Sequence, residues 1–168
     1  MINLKPLYLA AFVVASAMIG AATLDTATAQ EVSVTAMKQT LEPRIKTWAR
    51  LVTKIVDDYN KLNTLLTMLS ADPPQVPTTD PKSAIKDVQD KMNNAKIGIA
   101  RETTNLRLDL IQRGLAPKLK KDEGKSVADF VNKMINEQGA PLSKTVNFLP
   151  SMTWGDRGLG GEIQIKFQ

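Results

Sequence analysis

Between Leu41 and Leu69 the apolar residues Leu41, Ile45, Trp48, Val52, Ile55, Tyr59, Leu62, Leu66 and Leu69 follow one another at alternating steps of four and three. That spacing puts all of them on one stripe of an α-helix, and so long a stripe is stable only against another helix. Leu51, Val56 and Leu65 widen the stripe beyond a two-stranded seam, which suits packing against more than one neighbour. Thr40 offers an N-cap, and Pro43 fits a first helical turn, where its missing N–H costs nothing. A first helix is therefore expected over about 41–70.

The next stretch, ADPPQVPTTDP, holds four prolines in residues 71–81 and cannot continue the helix. Asp80 then caps a second helix with Pro81 at its first position. Ile85, Val88, Met92, Ala95 and Ile99 keep the three-four alternation. Beyond Ile99 the frame shifts by four residues, through Thr103 to Leu106 and Leu110, and Gly98 beside the shift predicts local unwinding or a slight bend. Gly114, in a left-handed C-terminal position, and Pro117 stop the helix near Arg113. Two helices of nearly equal length on a stiff connector predict an antiparallel, coiled-coil-like hairpin.

A polar stretch, LAPKLKKDEGK at residues 115–125, reads as a linker. A shorter helix follows over about 126–138, with Ser126 and Asp129 as an approximate capping box and Val127, Phe130, Val131, Met134 and Ile135 on one face. Residues 140–153 read as irregular. The glycine-rich WGDRGLGG then leads into a short strand at about 162–167, where Ile163, Ile165 and Phe167 alternate with Glu162, Gln164 and Lys166. A lone strand leaves backbone N–H and C=O groups unpaired. Its candidate partners are the alternating run Glu31–Ala36, which is favoured, the same strand of another copy, or the sheet edge of a different protein. The expected fold is thus mainly α: a long helical hairpin, a short third helix and a small terminal β element, in a single domain over residues 30–168.

Residues 1–29 have the layout of a secretory signal peptide: Lys5 near the start, an apolar run from Leu7 to Ala22, and small residues ending in Ala27-Thr28-Ala29. Cleavage is expected after Ala29. The alternative, an uncleaved anchor, needs about 20 apolar residues, and the run falls short of that. Export to the periplasm or beyond follows, yet the chain has no Cys, so disulfides do not support it there. A small exported domain of this kind depends on helix packing or assembly. Lys and Arg total 22 against 17 Asp and Glu, a mild excess that favours anionic surfaces without marking a nucleic-acid binder.

The chain also lacks His, which removes the commonest general base, the Ser–His and Cys–His pairs, and the usual zinc and haem ligands. No catalytic, metal or cofactor residue is assigned. The adjacent Asp57 and Asp58 lie off the seam beside Lys54 and Lys61, as surface ion pairs do. Lys118, Lys120 and Lys121 form the densest basic cluster and are the candidate contacts for an anionic polymer or lipid headgroup, although Asp122 and Glu123 dilute them and a solvated linker explains them as well. Trp48 and Tyr59 on the seam are read first as core residues and secondarily as an interface. Gly155, Gly158, Gly160 and Gly161 suit a tight turn better than a phosphate nest. The function expected from these residues is an exported structural or interaction protein of the cell envelope, part of a secretion, pilus or other surface assembly. A periplasmic chaperone or stress adaptor is the first alternative and an anionic-polymer or headgroup binder the second. Trp48, Tyr59, Ile163, Ile165 and Phe167 are the candidate interaction residues, with a protein partner or a second copy as the occupant.

Overall fold

In the computed structural model, residues 33–115 and 118–168 are described. They form three α-helices and one two-stranded antiparallel sheet: α1 (Val34–Leu69), α2 (Pro81–Arg113), α3 (Lys121–Gly139), a 3₁₀ turn at Ala140–Leu142, then β1 (Val146–Gly155) and β2 (Gly158–Phe167).

Helix α1 begins seven residues before the expected start, with Ser33 as its N-cap accepting the Ala36 N–H at 3.1 Å. Pro43 consequently lies inside the helix. An interior proline costs roughly 3 kcal/mol. Burial of Met37 and Leu41, at about 1.5–3 kcal/mol for each side chain, offsets that cost. The apolar stripe thus continues upstream of Pro43 through Val34 and Met37, and Val34–Ala36 is helix rather than strand. Glu31 and Val32, the rest of the expected strand partner, lie outside the described residues, as does the whole of the expected signal peptide.

The α1 stripe is the floor of the molecule. Arg44 lies against Asp109, Trp48 against Thr103, and Tyr59 against Lys96, so numbers rise along α1 as they fall along α2. On another flank α3 packs on α1, with Lys38 bonded to Ser126 Oγ at 3.0 Å and lying over the Phe130 ring. The sheet closes the core from above, β1 against α3 and β2 against α2. The main cluster joins Ile45, Trp48 and Val52 of α1, Ile99, Leu106 and Leu110 of α2, Val127, Val131 and Ile135 of α3, and Val146, Phe148, Met152 and Leu159 of the sheet. Among these the Trp48 indole N–H donates to Thr103 Oγ1 at 3.2 Å, and the Thr103 hydroxyl donates in turn to the Ile99 carbonyl at 2.8 Å. Thr103 is thereby satisfied although buried.

Several local expectations are corrected. Helix α2 runs through Gly98 without the expected unwinding, and a Cβ added there would make only ordinary van der Waals contact with Ile55. Gly114 ends α2 at φ −84°, not left-handed; it is glycine because an added Cβ would fall 2.5 Å from Leu159 Cβ. Helix α3 starts at Lys121, five residues before the expected Ser126, where Glu123 Oε2 accepts the Lys120 N–H at 2.8 Å. Asp122 and Glu123 then lie in its first turn, where the helix dipole favours negative charge. The earlier start depends on Gly124: any Cβ there would meet the Trp154 ring at 2.1 Å. Residues 146–153, expected to be irregular, belong to β1, and β2 begins at Gly158 rather than at residue 162. The partner of the C-terminal strand is therefore β1 of the same chain.

Because Trp48 joins α1 to α2, its truncation should be felt throughout the core. Trp48→Phe should lower the unfolding free energy by about 1–3 kcal/mol for the lost hydrogen bond and altered shape, and Trp48→Ala by about 3–5 kcal/mol. Urea unfolding followed by circular dichroism checks both values.

Candidate functional site

The C-terminal hairpin carries most of the expected interaction residues. Asp156 and Arg157 form its two-residue loop, and every residue from Val146 to Gly155 pairs with one from Phe167 back to Gly158. Gly158 has φ +103° and Gly161 φ +126°, which side chains resist. At Gly161 a Cβ would also fall 2.3 Å from the Ser151 carbonyl oxygen. These glycines serve the turn and the close strand pairing.

Inward-pointing Ile163, Ile165 and Phe167 are half-buried and pack on the main core. Ile165 stands opposite Phe148 in the ladder, and the Phe148 ring meets Trp48 edge-on at 4.9 Å and 82°. Trp48 is 3 % exposed and belongs to the interior, touching only the floor of a shallow cleft of about 160 Å³ lined by Arg44, Leu51, Glu102 and Asp109. Tyr59 and Phe167, far apart in sequence, come together through one cation: the Lys96 ammonium lies 5.7 Å from the Tyr59 ring centroid and 5.3 Å from that of Phe167.

The basic cluster divides. Lys118, Lys120 and Lys121 are all exposed, but only Lys118 and Lys121 line a cavity of about 510 Å³, together with Leu119, Trp154, Gly155, Asp156 and Gly158. Lys120 instead serves the start of α3 through its backbone. Sequence reasoning passed over Trp154, whose indole covers Gly124 and forms one wall of this cavity. Asp57 and Asp58 are exposed on α1, Asp58 paired with Lys61 at 3.3 Å. Among the described residues no group of three His, Cys, Asp or Glu side chains is placed to hold a metal ion.

The two outer edges of the sheet differ. Hydrogen-bonded pairs alternate along an antiparallel ladder, and Gln168 N–H donating to the Thr145 carbonyl at 3.0 Å fixes the phase. The even-numbered residues of β2 therefore bond to β1, while the odd-numbered ones, Leu159 to Phe167, turn their backbone groups outward. Contacts on both edges agree with that phase. On β1, Asn132 of α3 clamps Met152, donating to its carbonyl at 2.9 Å and accepting its N–H at 2.8 Å. Pro150, the next residue in phase, has no N–H to offer. On β2 the Leu159 N–H donates to the Gly114 carbonyl at 3.1 Å, and Arg107 Nε donates to the Gly161 carbonyl at 2.8 Å. From Ile163 to Phe167 the outward groups have no protein partner among the described residues.

No protein-family model, curated protein or solved structure matches the chain. Among the described residues no helix is long and apolar enough to cross a membrane.

Lys96 links the C-terminal residues of β2 to the α1 ring at Tyr59. Lys96→Gln should cost about 1 kcal/mol, in line with two half-exposed cation–π contacts. It should also speed amide exchange at Gln168, whose bond to Thr145 closes the ladder, with little change at Asn132 or Val131.

Proposed function

We propose that the chain is an exported structural or interaction protein of the cell envelope, one part of a secretion, pilus or other surface assembly, and that α1 and α2 form a coiled-coil-like hairpin whose far end docks a partner. The observation that carries the reading is the extent of that helix pair. At about 1.5 Å per residue, α1 and α2 are each roughly 50 Å long, whereas α3 is roughly 28 Å. The far end of the sheet reaches α1 at Asn60, where Thr145 Oγ1 donates to Asn60 Oδ1 at 2.8 Å. Beyond that point the helices share a separate, smaller core of Leu69, Val88 and Met92, with Leu62, Leu65, Leu66 and Ile85 half-buried around it. Two helices alone leave apolar surface that a further element would cover. Met68, 39 % exposed, extends this surface to the tip. The layout of residues 1–29 supports export, and the absence of His and Cys weighs against enzyme chemistry.

The test is photocrosslinking in intact cells from a reactive residue placed at Asn63 on the arm. One or two partners at fixed ratio are expected, and Leu65→Asp should abolish their capture while the main core still unfolds normally. A broad spectrum of exported proteins would instead support the chaperone reading, and capture by the Leu65→Asp variant equal to the parent would sink the arm as the docking element.

A second reading, binding of an anionic polymer or headgroup, is favoured by the cavity between Lys118, Lys121 and Trp154. On that reading, vesicles containing anionic lipid bind the protein at low salt, and the paired changes Lys118→Ala and Lys121→Ala weaken binding about thirtyfold. A contribution near 1 kcal/mol for each cation at such a surface sets that scale.

A further inference from the structure

We propose that the outer edge of β2, from Ile163 to Phe167, accepts an extended peptide strand from the partner protein. This specifies the partner's chemistry and rests on the interaction reading above, but it uses a different surface from the arm.

The argument begins with the contrast between the two edges. Edge strands invite pairing, and proteins block them where pairing is unwanted. The β1 edge is blocked twice, by Pro150 and by the Asn132 amide that occupies both backbone groups of Met152. Among the described residues the β2 edge is occupied at its start, by Gly114 on Leu159 and by Arg107 on Gly161. Beyond Gly161, three successive outward positions, Ile163, Ile165 and Phe167, keep N–H and C=O groups at strand spacing. The complement of such a row is another extended backbone.

The surface beside this edge fits the side chains of such a strand. Lys96 and Arg107 both reach β2, so the face of α2 between them runs alongside the strand. Helical spacing puts Ala100 and Thr104 on that face, with Ile97 and Leu108 just outboard. Ala100 and Thr104 are small and exposed, leaving room above the helix, while Ile97 is 65 % and Leu108 54 % exposed. A strand laid beside β2 would rest its inward side chains on this apolar strip, and alternate residues should therefore be apolar.

Charge selects the outward side chains. The α2 carboxylates Glu102 and Asp109 belong to the opposite flank, in the cleft that Arg44 shares. The strip itself is bordered by Lys96, Arg107 and, on the outer face of the sheet, the exposed Lys166. Cations border the edge more densely than carboxylates do, Glu162 being the acidic residue of this strand. The strand that fits has apolar residues at alternate positions and acidic residues among the others.

The probe is a blocked nine-residue peptide alternating valine with threonine and glutamate, followed by fluorescence anisotropy. The parent protein should bind it with sub-millimolar affinity. Two variants locate the site. N-methylation of the Ile165 nitrogen, introduced on a synthetic C-terminal segment joined to the rest of the chain, removes one outward N–H while leaving the side chain and the β1 ladder in place. Ile97→Asp changes the strip without touching the strand. Each should weaken binding by about tenfold, the scale of one lost hydrogen bond for the N-methylated protein and of lost apolar contact for Ile97→Asp, with unfolding midpoints close to the parent. No binding at about 1 mM peptide, above the dissociation constant expected, would overturn the site, as would equal binding by the parent and the N-methylated protein. A protein that still captures its partner through the arm but ignores the peptide would leave the proposed function standing and remove only the strand site.

Discussion

One side chain holds the three structural parts of this molecule in register. Trp48 leaves α1, gives its indole N–H to Thr103 of α2, and presents its ring to the edge of Phe148 on β1. A buried indole needs both a partner for its N–H and neighbours for its large apolar area. Here α2 meets the first requirement and the sheet helps meet the second. The stripe on α1 that a simple helix pair would fill from one side is thus shared among α2, α3 and the sheet. That sharing makes the C-terminal hairpin part of the core: Phe148, Met152 and Leu159 are as buried as the helical residues beneath them.

Most of the helical frame was legible because long stripes carry redundant information. The α1 positions Leu41 to Val52 and the α2 positions Ile99 to Leu110 are buried in the pattern that their spacing predicts. The start of α1 was hidden by Pro43, which reads as a first-turn residue, and by Val32, Val34 and Ala36, whose spacing mimics a strand. What decides in favour of helix is tertiary: Met37 is buried in the shared core. The start of α3 was hidden for a related reason. Residues 121–125 are polar, and only the fit of Trp154 over Gly124, a contact spanning thirty residues, makes that segment part of a packed helix.

The tail was half legible. Its alternation announced a strand, but its partner was missed because Pro150 interrupts the other run. Val146, Phe148, Met152 and Trp154 do alternate, and Pro150 falls in the same phase, on the side of β1 that makes no ladder bonds. A proline excluded from a strand interior is tolerated here because it sits on the outer edge of β1. Ile163, Ile165 and Phe167 were read as part of an attachment element because a lone strand leaves its backbone groups unpaired. Their side chains turn inward, and what the strand offers outward is its backbone. Lys118 and Lys121 do meet around one cavity, but Trp154, the residue that gives the cavity a wall, carries no local signal of that role.

The contrast between a β1 edge blocked at Pro150 and Met152 and a β2 edge open from Ile163 to Phe167 among the described residues decides where a strand can dock. The most direct measurement is residue-resolved amide hydrogen exchange along β2 in the protein alone. Gln164, Lys166 and Gln168, whose N–H groups face β1, should be protected about a hundredfold or more relative to Ile163, Ile165 and Phe167, because bonded strand amides exchange only through opening events. Met152 on β1 should also be slow, held by Asn132. Uniform protection along β2, or fast exchange at Met152, would contradict the account.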